Sequence, residues 1–211
     1  MAEVSSTYPV TLSVDYPDRA LNRLTSFFRI FTAIPIAIIL GLINGPNYRW
    51  EGLSGWSWQH AAAGVVFLPI VLMLLFRQKY PRWWFDWNVA LTKFSTRVAA
   101  YIDLLTDQYP STDEDQAVHI EIPYPDAQNQ LNRWLPLVKW FLAIPHYIVL
   151  FFLGIAAVVC VVIAWFAILF TGRYPKDLFG FVVGVYRWSL RVLTYAFLLT
   201  TDQYPPFTIA A

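Results

Sequence analysis

Arg29 and Lys139 stand six positions before Pro35 and Pro145, at matching places in two related stretches of the chain. A cation so placed has two uses. It can snorkel to the headgroup level and fix the depth of a helix, or it can form the centre of a site for anionic lipid headgroups. Arg23, Lys93, Arg97, Arg133, Arg187 and Arg191 supply further charge for the second use. Other chemistry-bearing groups are sparse. His60, His119 and His146 are far apart and lack metal-ligand spacing, and Cys160, the single cysteine, lies in an apolar run where it reads as packing. Asp15, Asp18, Asp126 and Asp202 read as turn and capping residues. The sequence carries no phosphate loop, dinucleotide fingerprint or nucleophile elbow. No cofactor or metal is expected, and the chain reads as a non-enzyme.

The elements that must position these residues follow from composition. Of 211 residues, 57% are hydrophobic and 14% charged, and mean hydropathy is +0.46. A soluble domain carries about a quarter charged residues and less apolar content, so an integral membrane protein is expected. Fifteen basic residues nearly balance fourteen acidic ones, which argues against nucleic acid as a partner. Met1–Ser13 has neither a basic n-region nor an apolar h-region, so insertion is expected to rely on internal segments.

Charge-free runs cover Ile30–Ile43, Ala61–Phe76 and Trp140–Thr171. As one helix the last would be roughly 45 Å long, against a hydrocarbon core of about 30 Å, so a hairpin turning near Gly154 is expected. An internal repeat supports that division. Val10–Val14 followed by Asp15-Tyr16-Pro17-Asp18 recurs as Val118–Ile122 followed by Pro123-Tyr124-Pro125-Asp126. Leu21-Asn22-Arg23 recurs as Leu131-Asn132-Arg133, Lys79-Tyr80-Pro81 as Arg173-Tyr174-Pro175, and Asp107-Gln108-Tyr109-Pro110 as Asp202-Gln203-Tyr204-Pro205. The chain therefore reads as a tandem duplication, with a first repeat over 1–110, a polar linker over 111–116 and a second repeat over 117–211. The first repeat carries sixteen extra residues, Asn44–Gln59, between its apolar segments.

The expected fold is an all-α membrane protein of two parallel repeats. Each repeat has a short strand, a two-span transmembrane hairpin and a cytoplasmic amphipathic helix. The spans fall at about 24–43, 58–76, 134–153 and 155–173, with interfacial helices at about 83–105 and 177–199. With two hairpins every basic residue except Arg49 lies on the side of both termini, and the positive-inside rule makes that side cytoplasmic. A single span in the second half would instead send Arg173, Lys176, Arg187 and Arg191 outside.

In the interfacial helices, Lys93 and Arg97 share one stripe, as do Arg187 and Arg191, and the two arginines of the second helix are expected to snorkel. Burying two arginines at a span centre would cost on the order of 5–7 kcal/mol. Gly180 and Gly184 have the spacing of a small-residue packing surface. Val10, Leu12 and Val14, and likewise Val118, Ile120 and Ile122, alternate with polar residues, marking one half-buried strand per repeat. The strands could pair with each other, cover the amphipathic helices or join a partner's sheet. Seven of the twelve tyrosines precede proline, which reads as punctuation between elements at the membrane interface. Pro35 and Pro145 are expected to kink the first spans. Asp and Glu are absent from all four span cores, which argues against an ion-coupled carrier.

Tyr124-Pro125-Asp126, the stretch Leu131–Trp140, Ala143–Tyr147, Gly172–Pro175 and Asp202–Phe207 together resemble bacterial membrane proteins grouped as a domain of unknown function of the DUF4389 type. The first half resembles them more loosely, with Arg77-Gln78 in place of Thr171-Gly172 and Leu24–Phe27 in place of Trp134–Leu137. The resemblance implies the bacterial inner membrane and supplies no catalytic or binding residues. The expected function is a non-enzymatic membrane scaffold or accessory subunit of a larger membrane complex. Its partners are membrane lipids, anionic at its cytoplasmic face, and other membrane-protein subunits. The alternative is a transporter of lipid or small apolar solutes through the interface between repeats.

Overall fold

The computed structural model describes residues 8–17, 20–43, 69–112 and 114–210. Asn44–Gln59, Asp18, His60 and most of the expected span at 58–76 lie outside the described residues. In chain order the elements are β1 (Thr11–Val14), α1 (Arg23–Phe27), α2 (Arg29–Ile43), α3 (described over 69–77), α4 (Arg82–Ile102), β2 (Val118–Glu121), a 3-10 turn (Leu135–Leu137), α5 (Lys139–Leu142), α6 (Ile144–Thr171) and α7 (Lys176–Ala196).

The alternating segments do form strands, and they pair antiparallel with each other, Leu12 opposite Ile120 and Val14 opposite Val118. Those four side chains are buried on one face of the ribbon while Thr11 and Ser13 face outward. An isolated two-stranded ribbon is marginal in water. Here β1 lies on α7 and β2 on α4, so the apolar face of the ribbon closes over both amphipathic helices. Those helices start where the Tyr-Pro punctuation places them, each entered through a proline in extended conformation, Pro81 and Pro175.

Both amphipathic helices stop three residues short of the expected ends. Leu104 and Leu199 take positive φ, 63° and 55°, while Leu105 N–H bonds back to Ala100 and Leu198 N–H to Leu193. A left-handed leucine costs roughly 1–2 kcal/mol. Both leucines are fully enclosed, and burying such a side chain gains a comparable roughly 1.5–3 kcal/mol.

The second-half hairpin is not formed. Ile144–Thr171 is one uninterrupted helix of 28 residues that runs straight through Gly154. A glycine inside a helix costs only about 1 kcal/mol relative to alanine. A tight turn among purely apolar side chains would strand several backbone N–H and C=O groups, each more costly than that. The separate spans at 134–153 and 155–173 are corrected accordingly: the first breaks up into the 3-10 turn, α5 and the start of α6, and the second is the remainder of α6. Pro145 does not kink a span; it sits in the first turn of α6, where its missing N–H is harmless. Pro35 does lie inside α2 and leaves the Phe31 carbonyl without its helical donor. The expected first span, 24–43, is jointed at Phe28 between α1 and α2. α6 ends in the left-handed Gly172, φ 76°, whose N–H closes on Ile168.

Among the described residues, α6 is the one helix long and apolar enough to cross a membrane. Only 6% of its most apolar stretch is buried. Ile148, Phe151, Phe152, Ile155, Val159 and Ile163 are among the side chains it exposes along one stripe. Its opposite side packs on α7, which returns along it so that Trp188 reaches His146.

The two halves interlock. α1 packs on α6, β1 on α7 and β2 on α4, so each half lends its N-terminal segment to the helices of the other. Tyr16 donates to the Tyr174 carbonyl and Tyr124 to the Tyr80 carbonyl, two bonds that each join one Tyr-Pro motif to another.

Candidate functional site

Arg29 is not free for a ligand in the way its position suggests. It is 3% exposed, its guanidinium donates to the Asp107 carboxylate, and it lies 4.1 Å over the Tyr101 ring. The other Asp107 oxygen accepts the Asn22 N–H at 2.8 Å, while the Asn22 side chain caps α1 through Leu24 and Thr25. Lys139 repeats the arrangement. Its ammonium is fully enclosed, 2.6 Å from Asp202, donates to the Thr201 carbonyl and lies 5.2 Å from the Tyr195 ring. Asp202 also accepts the Asn132 N–H at 2.5 Å. Asp202, read as a turn residue, is thus the counterion of Lys139. Each unit ties the start of a long helical path to the segment that follows an amphipathic helix.

Arg97, Arg187 and Arg191 do not reach outward as snorkelling would require. Arg97 donates to the Ser111 carbonyl, Arg191 to Thr208 and Ala210, and Arg187 to Leu12 and Ile209. They clamp the strand and the tails that follow each helix, because unpaired carbonyls there need donors. Gly184 packs tightly against Ile209 of the C-terminal tail, not against another helix, and Gly180 has open space where a Cβ would project. Of the eight cations expected at a headgroup site, Lys93 is half-buried, Arg23 lies exposed beside Gly172, and Arg133 lies exposed within bonding distance of Gln78.

His146 is enclosed by aromatic rings, stacked on Phe207 at 4.0 Å, with Trp188 Nε1–H donating to Nδ1. Asp126 accepts two backbone N–H groups and the Asn129 amide, and that side-chain bond, seconded by the backbone ones, holds its carboxyl below the usual range. Cys160 is half-buried with a free thiol. Among the described residues no three His, Cys, Asp or Glu side chains gather as a metal site.

A cavity of about 450 Å³ opens where α1, the start of α2, the end of α4 and the middle of α6 meet. Val161, Val162, Trp165 and Phe166 form one wall, and Ser26, Arg29 and Asp103 supply the polar groups. Ser26 is fully buried, and neither its Oγ nor Arg29 Nε and Nη1 has a hydrogen-bond partner among the described residues. Burial raises the Asp103 carboxyl above the usual carboxylate range, opposed by the hydroxyl that Tyr186 donates to it. The repeat itself could have paired Arg29 with Asp107 and Lys139 with Asp202, since all four recur in order. Nothing in the sequence marks Ser26 or Asp103, which the fold brings together from distant segments.

No curated protein and no solved structure matches the chain. Residues 134–208, which hold the Lys139 unit, α6, α7 and the His146 cage, match the family model described as a domain of unknown function, DUF4389.

Proposed function

We propose that this chain is a non-enzymatic accessory protein of the bacterial inner membrane, held at its cytoplasmic face with both termini cytoplasmic, and built as two fused copies of one ancestral unit. The observation that carries the reading is α6, a 28-residue apolar helix whose outer stripe has no cover among the described residues. An apolar surface of that extent marks contact with lipid or with a partner's helices. The recurring ion pairs and tyrosine bonds support the fused-copy reading.

In this reading α6 lies in the plane of the cytoplasmic leaflet. At about 42 Å it exceeds the ~30 Å hydrocarbon core, and basic residues flank both its ends, Lys139 before it and Arg173 and Lys176 after it. The positive-inside rule favours one side for both ends, and an unbroken helix meets that condition only by lying flat. Behind it, α7 and the ribbon pack their apolar faces together and leave Thr11 and Ser13 outward, so the bare apolar stripe of α6 is backed by a folded layer with a polar surface, the form of an interfacial anchor. The outer stripe is then shared between lipid and the helices of a larger membrane complex.

Two cysteines decide the orientation. In a Cys160→Ser background, Val138→Cys and Arg173→Cys should both react with a membrane-impermeant maleimide in inverted vesicles and neither in spheroplasts. One site labelled from each side would show that α6 crosses instead. Failure of the purified protein to float with liposomes would remove the membrane reading itself.

A further inference from the structure

We infer that the protein carries two surface contact sites for the phosphates of anionic phospholipids, one built by Arg23, Arg173 and Lys176 and the other by Arg133, Lys79 and Arg82. The inference rests on the membrane reading above and deepens it by naming the lipid that the anchored chain selects.

Two corners of the fold are built alike. Left-handed residues follow α6 and α3, Gly172 with φ 76° and Gln78 with φ 45°, and their N–H groups close on Ile168 and Leu74. An arginine from the other half of the chain lies against each. A Cβ on Gly172 would stand 3.6 Å from Arg23 Nε, and Arg133 donates to the Gln78 side-chain oxygen at 3.4 Å. The chain leaves each corner through a basic residue, Tyr-Pro and a second basic residue: Arg173 to Lys176, and Lys79 to Arg82. That second cation lies over a tyrosine of the opposite half, Lys176 5.5 Å from the Tyr16 ring and Arg82 5.2 Å from the Tyr124 ring. Distant segments thus bring three cations to each corner.

These cations are accessible. All six are exposed, in contrast to Arg29 and Lys139, which carboxylates hold inside the fold. Among the described residues, the one carboxylate within ion-pair distance of the six is Asp86, 4.0 Å from Arg82, a solvated pair of the kind that contributes little. Asp177 follows Lys176 in the chain, so each corner keeps an excess of positive charge. Gathered like charges repel, and an outside anion relieves them. The neighbouring side chains select among anions. Phe170 and Leu24 beside the first corner are 78% and 68% exposed, and Phe76 and Trp134 beside the second are 72% and 66% exposed. An anionic phospholipid meets both parts of such a surface, its acyl region on the bare apolar groups and its phosphate on the cations. A free phosphate would leave the apolar groups in water.

The test transfers the purified full chain from mild detergent to vesicles of phosphatidylcholine alone or of phosphatidylcholine mixed with phosphatidylglycerol, and reads binding by flotation. The wild type should prefer the mixed vesicles on the order of a hundredfold, and added salt should weaken that preference. Joint replacement of Arg23, Arg173 and Lys176 by Gln should lower the preference about tenfold, and so should joint replacement of Lys79, Arg82 and Arg133 by Gln. Arg23→Lys with Arg133→Lys keeps the charges and should keep the preference. Adding Glu114→Gln, Asp115→Asn and Glu121→Gln, all at exposed positions, to either triple variant restores the net charge away from the corners and should not restore the preference. The inference is overturned if the wild type binds both vesicles equally, if either triple variant keeps the wild-type preference, or if the three acid-to-amide changes bring it back. It is also overturned if sodium phosphate abolishes the preference at an ionic strength where sodium chloride does not, which would assign the corners to a soluble anion. Equal flotation with both vesicles leaves the membrane reading standing; flotation with neither removes that reading as well.

Discussion

Around Arg29 and around Lys139 the chain builds the same bracket: an asparagine seven residues upstream whose N–H holds the aspartate, that aspartate against the cation, and a tyrosine ring beneath it. The brackets differ in what the cation has left over. Lys139 is enclosed and adds a bond to the Thr201 carbonyl, whereas Arg29 keeps two buried nitrogens, Nε and Nη1, without an acceptor among the described residues. The comparison separates two roles that the sequence runs together. The buried charge ties a helix to the chain that follows its neighbour, and this is common to both halves. The spare donors belong to the planar guanidinium, and Lys139 has no counterpart to them.

The largest expected effect comes from breaking a bracket. Lys139→Met leaves Asp202 without its counterion in a buried setting and should cost about 3–5 kcal/mol in guanidinium unfolding in mild detergent. Arg29→Met should fall in the same range. A cost below about 1 kcal/mol for both would place these pairs with ordinary surface ion pairs and dissolve the comparison.

A smaller effect distinguishes the residues that follow α4 and α7, Asp103 and Phe197. Burial holds the Asp103 carboxyl above its ordinary range, partly offset by the bond from Tyr186, and its charge pushes both Tyr174 and Tyr186 further up. The folded chain therefore binds this proton more tightly than the unfolded chain. Stability from this group is full below the ordinary carboxylate value of about 3.9 and declines as pH rises through the raised value. Asp103→Asn should remove that decline, so the midpoint of the variant should gain on the wild type between pH 4 and pH 7.5, by roughly 2–4 °C per kcal/mol. A constant difference across that range would count against the buried-carboxyl account.

The smallest effect is expected at the exposed pair His119 and Asp15, 3.0 Å apart on the outer side of the ribbon. His119→Ala should change stability by less than about 0.5 kcal/mol, which calibrates the buried brackets against a solvated pair in the same fold.

Much of this architecture could be read from local pattern. Period-two segments marked both strands, and Tyr-Pro marked the starts of α4 and α7, because those signals depend only on neighbouring residues. The pairing of β1 with β2 was one of three open arrangements, since an apolar face specifies burial and not the partner. The hairpin at Gly154 failed for a related reason: hydropathy and the bilayer thickness set a length limit only for a helix that crosses, and α6 need not. Arg97, Arg187 and Arg191 were read as reaching for headgroups because their true acceptors are backbone carbonyls, which carry no residue-specific signal. Ser26 and Asp103 were silent for want of any local motif; they meet only through the packing of α1, α4 and α6.

The exchange of N-terminal segments between the halves sets a timetable for biosynthesis. β1 leaves the ribosome early, yet its Leu12 carbonyl is held by Arg187, 175 residues later. At about 5–20 residues per second that is a wait of roughly 10–35 s, during which a strand with an apolar face has neither its ribbon partner nor its helix. A nascent chain in that state needs shelter, from a chaperone or from the membrane surface itself, until α7 emerges.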